Sequence, residues 1–258
     1  MFSQLQKDLQ KLANPEKAKI LARFFKTEKG EYGEGDKFLG IMTGPLGELA
    51  RKYSNLPFLD LQKLLDGQHH EERFLGILIL IKQFAKGDEE KRKKIFDFYL
   101  KNTKRINNWD LVDISAPHIV GESMIQAVGR SDDQAVRESG GQRFRESGGQ
   151  NARAKREILY KLAKSENLWE RRIAIMATFA FIRQNDFSDT LKISEILIND
   201  KHDLIHKAVG WMLREVGKRN QRIEEAFLDK FITQMPRTML RYAIEKFPES
   251  KRQEYLRK

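Results

Sequence analysis

Leu168-Trp169-Glu170-Arg171-Arg172-Ile173-Ala174-Ile175 returns in loose form as Leu204-Ile205-His206-Lys207-Ala208-Val209-Gly210-Trp211, 36 residues further on. A third copy, Thr238-Met239-Leu240-Arg241-Tyr242-Ala243-Ile244-Glu245, follows 34 residues after the second. Each copy spells a helix with a basic residue beside small and β-branched ones. Periods of this size belong to stacked helix pairs, as in HEAT and armadillo arrays. A single pair cannot bury its apolar stripe alone, so neighbours stack, and such stacks curve into a concave face. Any amphipathic helix resembles another, but here small residues recur at matching places, which favours a true repeat.

The remaining chain also reads as helix. Ala18-Lys19-Ile20-Leu21-Ala22-Arg23-Phe24-Phe25 spaces its apolar residues at three and four. Glu72 to Phe84 is a long apolar helix that must be mostly buried, and Lys93 to Leu100 is another helix. The breakers between them are short: Asn14-Pro15, Gly44-Pro45, Leu56-Pro57, Lys86-Gly87-Asp88, Ala116-Pro117 and Met235-Pro236. Short connections suggest antiparallel neighbours. No stretch shows sustained strand alternation. The expected fold is all-α, a HEAT-like α-solenoid of stacked antiparallel helix pairs, with residues 1–258 forming a single domain. From about 124 to 154 the chain turns polar and Gly-rich and duplicates Arg-Glu-Ser-Gly-Gly-Gln at 137–142 and 145–150. That composition buries too little surface to offset its ordering entropy, so it reads as a flexible insertion inside the domain. A flexible arm on nucleic acid is the alternative.

There is no cysteine, which excludes disulfides and thiolate zinc sites and makes a reducing cytoplasm the natural compartment. No apolar run is long enough to span a bilayer, and the first residues lack the apolar block of a secretion signal. The formal net charge of +11 favours a polyanionic partner, either nucleic acid or an anionic membrane.

Asn107-Asn108-Trp109-Asp110-Leu111-Val112-Asp113 sets an indole and a carboxylate four residues apart, on one helical face. The chain has three tryptophans, Trp109, Trp169 and Trp211, and the other two lie in the first two repeat copies. Asp113 is the leading candidate acid, near the C-terminal end of a helix that Pro117 helps to terminate; a local cap or ion pair is the plainer role. Arg171 and Arg172 point about 100° apart. One can face a groove while the other is solvated or paired with Glu170. Trp211 follows Gly210 inside an apolar helix, where glycine costs about 1 kcal/mol against alanine. Close approach to a neighbouring helix or ligand would justify it. Tyr32 sits among Gly30, Gly33 and Gly35 in a loop that can lie against another backbone but lacks the Gly-Lys-Ser/Thr of a phosphate loop. His69-His70 precede Glu71-Glu72, yet nothing else stands at metal-ligand spacing, so no metal or cofactor is expected.

These residues resemble the AlkD-like family of alkylpurine DNA glycosylases. The resemblance rests on Gly33 to Ile41 with Pro45, then Glu71-Glu72-Arg73, then Asn107 to Pro117, Trp169 to Ile175 and Lys207 to Glu215, in that order. It implies a solenoid cupping double-stranded DNA in its concave face, acting as a monomer. It implies base-excision repair by hydrolysis of the N-glycosidic bond of cationic N3- and N7-alkylated purines, without swinging the base into a tight pocket. Asp113 then matches the catalytic carboxylate, and Trp109 and Trp211 the two aromatic residues that hold the damaged nucleotide's sugar and backbone. Arg172 matches the family arginine, with Arg171 the less favoured choice, and Tyr32 loosely matches an aromatic residue of the DNA surface. The family joins the helices around 124–154 more briefly. A non-catalytic nucleic-acid-binding solenoid and a protein scaffold are the alternatives.

Overall fold

Asparagine and aspartate at the breakers start helices by accepting an otherwise unpaired backbone N–H. Asn14 accepts from the Lys17 amide at 3.0 Å, with Pro15 in the first turn, and Asp88 accepts from Lys91 at 2.9 Å. A computed structural model describes residues 1–125 and 150–257, without the side chains of 150–155. Among them every named element is helical, and Lys37 and His69 form an isolated β-bridge. The chain divides into two compact units, Met1–Ser115 and Ala116–Lys258.

The first unit holds α1 (Phe2–Lys11), α2 (Pro15–Phe24), α3 (Thr43–Lys52), α4 (Phe58–Leu65), α5 (His70–Lys86), α6 (Glu89–Lys101) and α7 (Trp109–Ser115). α5 is its hub and packs against α3, α4, α6 and α7. Its apolar stretch is buried as expected, with Leu75, Ile77, Ile79 and Leu80 at 0% exposure. Burying each such side chain is worth about 1.5–3 kcal/mol, which anchors the polar residues at the start of the same helix.

The second unit opens with a π-helical turn, Ala116–Gly121, continuous with α7. It then holds α8 (Gln150–Ala163), α9 (Leu168–Ala177), α10 (Phe179–Ile182), α11 (Ser188–Ile196), α12 (Asp203–Gly217), α13 (Gln221–Phe231), α14 (Arg237–Ala243) and α15 (Glu249–Arg257). The three repeat copies are α9, α12 and α14. α9 packs on α12 and α12 on α14, while α8 and α13 flank them. Equivalent positions are core in all three: Ile173, Val209 and Ala243 are each fully buried, as are Ile205 and Met239 opposite the nearly buried Trp169. The repeat is therefore a packing repeat, and the fold is all-α, built of successive helix pairs in the manner of an α-solenoid. The expected insertion lies mostly outside the described residues, and its last residues, 150–154, already belong to α8.

Gly210 sits where α12 meets α14. A Cβ there would fall 2.4 Å from the Met239 carbonyl oxygen and 2.6 Å from the Tyr242 Cβ. The close approach is to a neighbouring helix. Gly210→Ala should therefore lower the unfolding free energy by about 1–3 kcal/mol in urea titration. Helix propensity alone favours alanine by about 1 kcal/mol, so a stabilised variant would show that α12 and α14 do not touch there.

Candidate functional site

α7 carries two of the predicted site residues on one face. Asn108, fully buried, starts it: its side-chain oxygen accepts from the Trp109 amide at 2.8 Å and its carbonyl from Val112 at 3.1 Å. The Trp109 ring stacks on Phe25 at 5.3 Å and 24°, and meets Phe24 edge-on at 6.0 Å. Its indole N–H donates to the Tyr32 hydroxyl at 3.3 Å. Trp109 and Tyr32, predicted from separate segments, are thus in direct contact. Asp113 lies one turn on and is half-buried. Its neighbourhood is polar: the Tyr99 hydroxyl meets Ser115 Oγ at 2.8 Å, and Ser115 donates to the Leu111 carbonyl at 2.5 Å. Burial pushes the Tyr99 hydroxyl well above the usual phenol range, and the Asp113 charge adds to that shift. α7 ends at Ser115, two residues before Pro117, as expected. Pro117 cannot donate to the Asp113 carbonyl four residues back, and a π-helical turn, Ala116–Gly121, follows.

Beneath α7 lies a charged cluster that sequence reasoning missed. His70, the first residue of α5, places Nδ1 3.2 Å from Asp36 Oδ2 and Nε2 2.8 Å from Asp110 Oδ2. Arg73 donates to Asp36 Oδ1 at 2.6 Å and to the Gly67 carbonyl at 3.2 Å. Phe38 stacks on the imidazole at 4.8 Å, and Phe25 lies tilted against it at 4.9 Å. Burial alone would lower the His70 pKa, but Asp110 and Asp36 outweigh it and raise it to about 9. Burial would likewise raise Asp36, and His70 and Arg73 hold it below the usual carboxylate range. Glu71 is buried too, and its carboxylate accepts from the Leu39, Gly40 and Ile41 amides at 2.8, 2.8 and 3.1 Å. Gly40 has φ +82°, and a Cβ there would lie 2.0 Å from the Asn14 carbonyl oxygen. The loop before α3 is thus pinned by α5 from below. A signal for the cluster existed: His70, Phe74 and Ile77 share one face of α5 at i, i+4 and i+7, so His70 falls on the buried stripe.

In the second unit, α9 and α12 carry the other predicted residues. Arg171 is fixed by Asp200 at 2.6 Å and by the Ser165 and Glu166 carbonyls, each at 2.9 Å. Glu170 accepts from Ser165 Oγ at 2.5 Å. Arg172 is 5% exposed and donates to the Leu204 carbonyl, tying α9 to the first turn of α12. Neither guanidinium is simply solvated; both are engaged inside the unit. Trp211 is half-buried, and its indole N–H donates to Glu215 at 3.2 Å. Glu215 also holds Lys218 at 2.6 Å. Among the described residues no helix is long and apolar enough to cross a membrane.

The family model described as DNA alkylation repair enzyme matches residues 5–139 and 141–247. The chain belongs to that family, which is one of enzymes that act in the repair of alkylated DNA. No curated protein matches it significantly. A solved structure described as a predicted DNA alkylation repair enzyme from Enterococcus faecalis shares the fold with a TM-score of 0.64, at 16% identity, covering 92% of this chain and 97% of that one.

The His70 cluster sets a pH dependence of stability. With its folded pKa raised to about 9, His70 contributes fully below its ordinary value of 6.5 and loses that contribution as pH rises through 9. The difference in unfolding free energy between the wild type and His70→Asn should shrink by roughly 3 kcal/mol across that window. The difference is the quantity to measure, because Glu224, pushed up to about 9 by burial, also costs stability as pH rises from its ordinary value of 4.5. A constant difference from pH 6 to 9.5 would refute the ionic role of His70.

Proposed function

We propose that the chain, with both units taking part, is a DNA glycosylase that removes cationic N3- and N7-alkylated purines from duplex DNA. Asp113 is its catalytic carboxylate, and Trp109, Tyr32, Trp211 and Arg172 contact the DNA. The observation that carries this reading is the pairing on α7: a half-buried carboxylate one helical turn from an indole that Phe25 and Tyr32 hold in place. Family membership and the formal charge of +11 support it.

The chemistry needs no general acid. An alkylated purine is already positive, so the C1′–N bond breaks with its electron pair going to the base, which leaves neutral. The positive charge moves to the sugar as an oxocarbenium-like cation. The Asp113 carboxylate stabilises that cation and orients a water whose oxygen bonds C1′, with the released proton passing to solvent. An indole face beside the sugar adds cation–π attraction. Lysine and arginine side chains supply a salt-dependent hold on phosphates.

Asp113→Asn is the test. Release of 7-methylguanine from methylated duplex DNA should fall by about 100- to 1000-fold, the usual loss for an electrostatic partner of a transition state. DNA affinity should stay within a few-fold. Equal loss of both would reject the catalytic role and leave a non-catalytic DNA-binding protein. Absence of any salt-dependent DNA binding in the wild type would leave a protein scaffold.

A further inference from the structure

We propose that the Asp36–His70–Asp110 bridge is the device that sets where α7 presents Trp109 and Asp113, which makes His70 a positioning residue. The proposal rests on the role given to Asp113 above.

Trp109 opens α7, so the first turn of the helix, where no earlier turn supports it, is placed by what its side chains grip. Leu111, Val112 and Ser115 grip through burial, and the first turn grips through Asp110 on His70. Asp110 adjoins Trp109 and precedes Asp113 by three residues, so a shift at Asp110 moves both. Phe25 couples them a second way, with its ring against both His70, at 4.9 Å, and Trp109, at 5.3 Å.

The geometry fixes the charge. Both imidazole nitrogens lie within hydrogen-bond distance of a carboxylate oxygen, and a neutral imidazole can donate from only one of them. The bridge therefore requires imidazolium. With Arg73 on Asp36, two cations face two carboxylates and the buried charge closes. The other charged groups on this end of α5 are already engaged: Glu71 on the loop amides and Glu72 on His69 at 3.0 Å. Phe25, Phe38 and Phe74 wall the imidazole. Loss of the proton sets a lone pair against one carboxylate. Asp36 keeps Arg73 and is 7% exposed, whereas Asp110 is 15% exposed, so Asp110 is the partner that lets go. The release occurs on the α7 side.

The full-length protein, labelled with ¹³C and ¹⁵N, tests this by NMR alongside base release. The His70 imidazole, identified by its absence in His70→Asn, should titrate near pH 9. The Trp109 indole N–H signal, identified in Trp109→Phe, should move with the same midpoint. On methylated duplex DNA, kcat should fall about 10- to 100-fold through that midpoint, as expected when a catalytic group is displaced by about an ångström. The dissociation constant for DNA should change by no more than a few-fold. If His70→Asn does not fold, Asp110→Asn replaces it: the imidazole midpoint should drop by about one unit or more, and the Trp109 signal should stop following it. A Trp109 signal indifferent to the His70 titration, or an imidazole that titrates like a solvated histidine, overturns the proposal. A wild type that releases no base at any pH overturns the glycosylase reading alone, because the two NMR signals still decide whether the bridge positions α7.

Discussion

Charge buried at the start of α5 governs the first unit. His70, Glu71 and Arg73 are each 5% exposed or less, in a helix whose remaining turns are anchored in the core. An unpaired charge in such a place costs several kcal/mol, so each must find a partner. The partners lie far along the chain: the amides of Leu39 to Ile41 for Glu71, Asp36 for Arg73, and Asp36 with Asp110 for His70. Satisfying one helix turn thereby fixes the loop that carries Tyr32 and the short helix that carries Trp109. The apolar burial further along α5 supplies the free energy that holds those charges in place.

That arrangement explains what could be read from the residues and what could not. Helices are local, and Asn14-Pro15, Asp88 and the apolar spacing of α5 announce them within a few residues. The repeat was readable because Ile173, Val209 and Ala243 must each fill the same place in a stack. Gly210 was readable as a close approach because glycine inside an apolar helix needs a reason. The Asp36–His70–Asp110 bridge joins residues 34 and 40 positions apart, and no periodicity encodes such a pairing. Pro117 announced the end of α7 but not the π-helical turn that follows it. A proline removes one donor, and what form the chain takes next depends on what packs around it. A Cβ on Gly121, at the end of that turn, would lie 2.4 Å from the Ala177 carbonyl oxygen, so α9 sits directly against it. The sequence of Arg171-Arg172 points one guanidinium to a groove and leaves the other solvated or paired with Glu170. Asp200 and the Leu204 carbonyl, 29 and 32 residues away, draw them inward.

The role proposed for Asp113 calls for an acid that solvent and substrate can reach. Glu224 shows the opposite case within the same chain: 1% exposed, with one carboxylate oxygen lacking a hydrogen-bond partner, it is pushed up to about 9 and is neutral at pH 7. In the proposed mechanism a neutral acid would offer nothing to a cationic sugar. Asp113 is half-buried and stands near the Tyr99–Ser115 hydroxyl pair, in surroundings unlike those of Glu224. Partial exposure distinguishes the proposed carboxylate from the buried acid.

The two half-buried indoles follow a common rule. Trp109 donates its N–H to Tyr32 and rests on Phe25; Trp211 donates to Glu215, itself held by Lys218. Each ring is oriented before any ligand arrives, by groups of its own unit. A ring already fixed loses little side-chain entropy on binding, a saving of about 0.5–1.5 kcal/mol for each immobilised side chain. In the function proposed above, a free indole would have to be ordered at the moment a distorted nucleotide is engaged, at a cost to discrimination between damaged and normal DNA. Under that proposal Tyr32 and Glu215 serve recognition as well, because they determine which face of each ring is left open.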